Sequence, residues 1–127
     1  MDAYRIEHIK YGFGPYCLDP APEHRWDCTL ELCQDCEEIR ELEGFSEFLC
    51  EDAGKRHPEP VQDGLGWNYG GRIFGFESLD SLEDWFGIYS DDLRDHGFAV
   101  FLYRDVTDYL EGLRQIAFRP TSPRVAV

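Results

Sequence analysis

The helical period of residues 28–42 is the feature that most constrains the fold. Apolar side chains recur there at spacings of four, four, three and three, which places them on one face of an α-helix. They are Cys28, Leu32, Cys36, Ile39 and Leu42. We expect Asp27 to cap the start of this helix and Gly44 to follow its last turn. The remaining chain must then cover this apolar face.

Four segments predict strands. Residues 3–9 alternate in polarity, which predicts a half-buried strand with Arg5 and Glu7 on its solvent face. Residues 98–103 are nearly all apolar and suit a strand that is buried on both faces. Shorter strands are expected at 72–76 and 113–118, with a turn at 108–112.

Two more helical segments follow the middle of the chain. Ser78 is a typical N-cap, and the apolar residues after it recur at helical spacing. These residues are Leu79, Leu82, Trp85 and Phe86. Ser90 is expected to cap a short helix through Leu93, which Gly97 ends.

The predicted fold class is α+β, with a mainly antiparallel sheet of about four strands and two or three helices. A chain of 127 residues fits a single domain, here spanning residues 1–127. Residues 44–71 are rich in Gly and Pro and predict a long irregular segment. Residues 119–127 are expected to form a loose tail.

The charge is strongly negative, with 26 acidic against 12 basic residues and a net charge of −14. Such a balance repels nucleic acid and anionic membranes, so it disfavours direct DNA or RNA binding and favours a basic protein partner. The chain contains no apolar stretch of signal-peptide or membrane-spanning length, so we expect a cytoplasmic protein.

The carboxylates cluster in two segments. Residues 31–52 hold nine of them with one base, Arg40, and residues 77–95 hold seven with one base, Arg94. Carboxylates three or four residues apart on a helix stand about 5–6 Å from one another, a spacing of the order found along a phosphate backbone. The candidate partner-binding residues are Glu31, Asp35, Glu38, Glu41, Asp80, Asp84, Asp91 and Asp92, with Tyr16, Trp67 and Tyr69 as aromatic anchors.

The cysteines suggest an alternative. Cys33 and Cys36 have the spacing of a zinc knuckle, and Cys28, Cys50 or His57 could complete four ligands. A second such pair is missing, and Cys36 lies on the core face of the predicted helix, where a thiol packs as a small hydrophobe. A redox role is disfavoured because five acidic neighbours would raise the thiol pKa. No nucleophile lies in a recognisable catalytic motif, so we assign no catalytic residue.

Several short motifs resemble small phage and prophage proteins, which implies a viral accessory protein. The motifs are YRIEH at 4–8, GFGPY at 12–16, HP at 57–58, FGFESL at 74–79, WF at 85–86 and QIAF at 115–118. The same positions are faintly similar to ADP-ribosyltransferase folds, which implies that Arg5 or His8 and Gln115 would lie near a bound NAD.

Three functions therefore remain open. The first is a phage-type inhibitor of host defence that binds a basic, nucleic-acid-handling host protein as a DNA mimic. The second is an NAD-binding protein of ADP-ribosyltransferase type that uses Arg5, His8 and Gln115. The third is a small module stabilised by zinc on cysteine and histidine ligands.

Overall fold

The computed structural model describes residues 1–12, 14–15, 34–54 and 72–127, with the side chains of the long helix described from Glu37 to Asp52. Within these ranges the chain forms six strands, three α-helices and one 3-10 turn. In chain order they are β1 (Ala3–His8), α1 (Gln34–Gly54), β2 (Ile73–Gly75), α2 (Leu79–Phe86), the 3-10 turn (Gly87–Tyr89), α3 (Ser90–Asp95), β3 (Phe98–Tyr103), β4 (Asp108–Glu111), β5 (Ile116–Arg119) and β6 (Val125–Ala126).

The described strands form two antiparallel sheets of three strands, in the orders β1-β3-β6 and β2-β5-β4. A single bridge joins the sheets, because the backbone N–H groups of Tyr4 and Phe76 each donate to the other's carbonyl at 2.8 Å. The predicted α+β class with antiparallel pairing is confirmed. The strand count is higher than the expected four, because the chain also forms β4 and β6.

Among the described residues, the buried apolar side chains form two clusters. The larger one packs one face of α1 against the second half of the chain, and it includes Leu42, Phe45, Leu49, Trp85 and Phe98. The smaller cluster contains Ala3, Tyr103, Val106, Ile116 and Phe118. The strand predicted at 98–103 is present as β3, with Phe98, Phe101 and Tyr103 buried and the other three residues partly buried.

The helix predicted after Ser78 is present, and its cap is as expected. The hydroxyl of Ser78 accepts a hydrogen bond from the backbone N–H of Ser81 at 3.1 Å. The predicted cap at Ser90 is wrong, because Ser90 lies inside α3 and its hydroxyl donates to the carbonyl of Gly87 at 2.9 Å. Gly97 follows α3 with a φ of +82°, a conformation that suits glycine and turns the chain into β3.

The expected end of the long helix at Gly44 is also wrong. Helix α1 continues to Gly54, because Phe45 and Leu49 extend the buried face by two further turns. The first part of the expected irregular segment 44–71 is therefore helical, and residues 55–71 lie outside the described residues. Asp27, the expected N-cap, lies outside them as well.

The expected turn at 108–112 is instead a strand, β4, because its backbone pairs with β5 from Asp108 to Glu111. The expected strand at 113–118 starts later, at Ile116. The tail at 119–127 is not loose, since β6 pairs with β3 at Phe101 and Leu102. Backbone pairing with a neighbouring strand explains why 108–111 and 125–126 form the strands β4 and β6.

The solvent-facing position expected for Glu7 is wrong. Its side chain is only 3% exposed, and it accepts hydrogen bonds from the hydroxyl of Tyr103 and from the guanidinium groups of Arg5 and Arg124. Strand β1 is thus buried on both faces, because β3 and the C-terminal tail carry partners for the carboxylate.

Candidate functional site

The exposed face of α1 carries an acidic stripe. Its members recur at spacings of four, three, four and three, which places them along one line of the helix surface. They are the three carboxylates Glu37, Glu41 and Glu51, with Gly44 and Phe48 between Glu41 and Glu51. Glu43 and Glu47 are also exposed, and the described ion pairs involve none of these five carboxylates.

Glu43, Glu47 and Glu51 are not among the predicted partner-binding residues, because Glu43 lies off the predicted stripe and the other two follow Gly44, where the helix was expected to end. On the helix they follow one another at intervals of four residues, so the Cβ atoms of neighbouring members stand about 5–6 Å apart. The sequence contains a signal that would have found them. Leu42, Phe45 and Leu49 continue the apolar spacing past Gly44, which indicates that the helix continues too.

A second group of exposed carboxylates lies on α2 and α3. Its members are Asp80, Glu83, Asp84, Asp91, Asp92 and Asp95. Two have a basic neighbour: Asp84 pairs with Arg114 at 3.3 Å, and Asp91 pairs with Arg94 at 2.9 Å. Exposed pairs of this kind are weak and exchange readily with other partners.

The elements that carry these two groups of carboxylates contact each other. The hydroxyl of Tyr89, in the turn between α2 and α3, donates to Asp52 of α1 at 2.6 Å. The rings of Phe45 in α1 and His96 at the end of α3 are stacked with centroids 4.0 Å apart. We call the two groups together the acidic surface: Glu37, Glu41, Glu43, Glu47 and Glu51 of α1, with Asp80, Glu83, Asp84, Asp91, Asp92 and Asp95 of α2 and α3.

Glu38 has a different environment from the other predicted partner-binding residues. Its carboxylate accepts a hydrogen bond from the hydroxyl of Tyr11 at 2.7 Å and from the ammonium of Lys10 at 3.2 Å. Both partners follow β1, so Glu38 connects α1 to the end of that strand. Its charge is partly neutralised, and we leave it out of the acidic surface.

The other predicted residues lie outside the described part. Glu31, Tyr16, Trp67 and Tyr69 are not among the described residues, and Asp35 belongs to α1 before its described side chains begin. Their role in partner binding stays a prediction.

The residues expected near NAD are engaged within the fold. Arg5 donates to Glu7 at 2.9 Å and to the carbonyl of Phe74 at 2.8 Å, and its guanidinium lies against Gly14. His8 is 8% exposed and Gln115 is also 8% exposed. These contacts join strands and loops, and NAD binding stays a prediction.

The His8 ring is held by backbone groups. Its Nδ1 accepts hydrogen bonds from the N–H groups of Lys10 at 3.1 Å and Tyr11 at 3.2 Å, which requires that nitrogen to be unprotonated. Burial lowers the pKa of His8 below its ordinary value, despite a backbone hydrogen bond to His96 and the nearby charge of Glu38, which act in the other direction. His8 is therefore neutral at physiological pH.

The Tyr103 hydroxyl also has a pKa that its surroundings shift. Burial raises its pKa, and its hydrogen bonds to the Glu7 carboxylate raise it further. Tyr103 therefore stays a protonated donor to Glu7 at physiological pH.

The predicted zinc ligands are also largely outside the described part. Cys28, Cys33 and His57 lie beyond the described ranges, and Cys36 precedes the described side chains of α1. Within the described ranges, no group of three or more His, Cys, Asp and Glu side chains is arranged to hold a metal ion. The zinc-stabilised module stays a prediction.

None of the helices in the described ranges combines the length and the apolar character that crossing a bilayer requires. The fold and the acidic surface define a small acidic α+β protein. The chain belongs to the family described as the Bacteriophage T4 Y00F protein, whose family model matches residues 1–126. No curated protein and no solved structure matches the chain.

Proposed function

We propose that this phage protein is an interaction protein that inhibits a basic, nucleic-acid-handling host protein by occupying its DNA-binding groove as a DNA mimic. It acts in the host cytoplasm and counters host defence. The observation that carries the proposal is the exposed face of α1, where five carboxylates accompany one exposed base, Arg40.

The arrangement of charge supports this proposal. Glu43, Glu47 and Glu51 form a row of negative charges at regular intervals on a rigid helix, which is a feature that a groove for phosphates recognises. The carboxylates of α2 and α3 extend the negative field on the neighbouring elements. Complementary charge of this kind accelerates association and selects basic partners.

The test is affinity capture from extract of the host at low and at high salt, with the bound proteins identified. We expect the captured proteins to bind nucleic acid, to dissociate as salt rises, and to be displaced by added duplex DNA. The variant Glu43→Gln/Glu47→Gln/Glu51→Gln should lose this capture while keeping its fold.

A matched control changes the same net charge elsewhere on the surface. Asp2→Asn/Asp105→Asn/Glu111→Gln removes three exposed carboxylates that lie outside α1, α2 and α3. This control should retain capture. Equal loss in both triple variants would mean that net charge alone causes binding, and capture that ignores salt and DNA would contradict DNA mimicry.

A further inference from the structure

The interior of α1 contains a glycine that the fold does not explain. Gly44 lies in the middle of the helix and is exposed, and a Cβ atom placed there would meet no described atom within 4 Å. Its backbone is helical, so it does not require glycine's access to positive φ. Glycine inside a helix is less stable than alanine, so the fold would gain from a side chain at this position.

Phe48 lies one turn further along the same line of the helix and is 54% exposed. Side chains on a helix lean toward its N-terminus, which brings the Phe48 ring toward the turn that holds Gly44. The open surface left by the missing side chain at Gly44 therefore lies one helical turn from an exposed aromatic residue. We call this feature the Gly44–Phe48 gap.

Carboxylates border the gap at both ends. Glu41 lies three residues before Gly44, and Glu51 lies three residues after Phe48, both exposed. An aromatic face with carboxylates at its edge is a suitable environment for a cation. A second copy of this chain does not fit, because each copy carries a net charge of −14.

Arginine suits the gap better than lysine. Its planar guanidinium stacks on an aromatic ring while its N–H groups bind carboxylates, whereas the ammonium of lysine is a strongly hydrated point charge. Among the described residues, two guanidinium groups make contacts of this type: Arg124 lies over the Phe101 ring at 4.1 Å, and Arg114 lies over the Trp85 ring at 4.8 Å.

We propose that the Gly44–Phe48 gap receives an arginine side chain from the basic protein partner. The guanidinium stacks on Phe48 and binds Glu41 or Glu51, while the aliphatic stem crosses the space above Gly44. This inference rests on the proposed function and deepens it, since it adds a specific anchor to a surface that otherwise selects by charge.

The test measures the affinity of two labelled peptides of equal length, oligoarginine and oligolysine, by fluorescence anisotropy. We expect the wild-type protein to bind oligoarginine more tightly. Phe48→Ala should weaken oligoarginine binding about tenfold and change oligolysine binding little, which would remove the preference.

Gly44→Gln separates this role from a structural one. It fills the gap and replaces a helix-destabilising residue, so it should raise the melting temperature while weakening oligoarginine binding about tenfold. A residue with a structural role alone would not show these opposite effects. Gly87→Gln is the matched control: a Cβ there also meets no described atom within 4 Å, and the change should leave peptide binding unaltered.

The possible failures are distinguishable. If Phe48→Ala and Gly44→Gln bind oligoarginine as the wild type does, while Glu43→Gln/Glu47→Gln/Glu51→Gln binds it weakly, the gap is not an anchor and the acidic surface still is a binding site. If the wild type binds neither peptide at low salt, the proposed function and this inference both fail. Self-association that Phe48→Ala abolishes would assign the gap to a second copy and overturn the proposal.

Discussion

The hydroxyl of Tyr103 lies 2.6 Å from Oε2 and 2.9 Å from Oε1 of Glu7, a residue that is 96 positions earlier in the chain. Arg5 and Arg124 donate to the same carboxylate at 2.9 and 3.0 Å. One buried carboxylate thus joins β1, β3 and the C-terminal tail. A buried carboxylate is tolerated only when it is paired, and these partners supply that pairing inside the fold.

Replacing this carboxylate should destabilise the protein. Glu7→Gln removes the charge that the two guanidinium groups face, and we expect the free energy of unfolding to fall by about 2–3 kcal/mol in urea denaturation. Tyr103→Phe is the control, because it removes one hydrogen bond and leaves both ion pairs, and it should cost about 1 kcal/mol. A smaller loss for Glu7→Gln than for Tyr103→Phe would contradict this account.

The C-terminal tail should depend on Arg124. Its guanidinium donates to Glu7 and to the carbonyls of His8 and Ile9, and it lies over the Phe101 ring. We expect Arg124→Ala to lower the free energy of unfolding by about 1.5–3 kcal/mol and to speed amide hydrogen exchange in β3.

Arg104→Ala is the control for that experiment, since Arg104 is exposed. It should leave both the stability and the exchange rates within the range of ordinary surface substitutions, about ±0.5 kcal/mol. If Arg124→Ala changes stability and exchange as little as Arg104→Ala does, the tail is held by its backbone pairing alone.

Gly97 should tolerate no side chain. Its φ is +82°, and a Cβ atom there would lie 2.7 Å from Nε2 of the buried His8 ring. Gly97→Ala should therefore lower the free energy of unfolding by more than about 2 kcal/mol, from both backbone strain and the clash. Thermal and urea denaturation measure this loss.

Gly87→Ala provides the comparison, because Gly87 has a φ of −54° and open space around it. There the substitution should be neutral or stabilise the fold by up to about 1 kcal/mol. Similar losses at both positions would rule out the contact with His8 as the cause.

His8 should make the stability depend on pH. Because burial lowers its pKa in the folded state, the unfolded state binds more protons as the solution becomes mildly acidic. The contribution of His8 is thus present above its unfolded pKa of about 6.5 and is lost as the pH falls through its folded pKa. Denaturation midpoints measured across this range should decrease as the pH is lowered.

His8→Asn isolates this effect. The amide oxygen of asparagine can accept the two backbone hydrogen bonds, but it does not titrate. Below a pH of about 6.5 the variant should lose less stability than the wild type for the same change in pH. Parallel curves for the two proteins would mean that other groups cause the dependence.

Local patterns in the sequence predicted the elements that are stabilised by residues close to them in the chain. The N-cap of α2 at Ser78 and the apolar strand β3 were both predicted, since capping and continuous burial depend on residues close in the chain. Helix α1 was predicted as a helix, but its end was misplaced, because Gly44 is a common helix terminator when only neighbouring residues are considered. Its buried face continues through Phe45 and Leu49, and packing outweighs the cost of one glycine.

The candidate site was also predicted in part from local patterns in the sequence. The abundance of carboxylates and their helical spacing were visible in the sequence, and they predicted an acidic face on the helix. The sequence did not show that Glu38 would bind Tyr11 and Lys10. That outcome depends on which residues meet across the fold.

By itself, then, the sequence determined the α+β class, the amphipathic character of α1 and the negative charge of its outer face, because each depends on short-range periodicity and composition. Only the tertiary structure decided that Glu7 is buried, that the tail adds β6 to β3, and that Phe48 is exposed. The physical reason is that hydrogen-bond partners and exposure are set by residues far apart in the chain. Tyr103 reaches Glu7 across 96 positions.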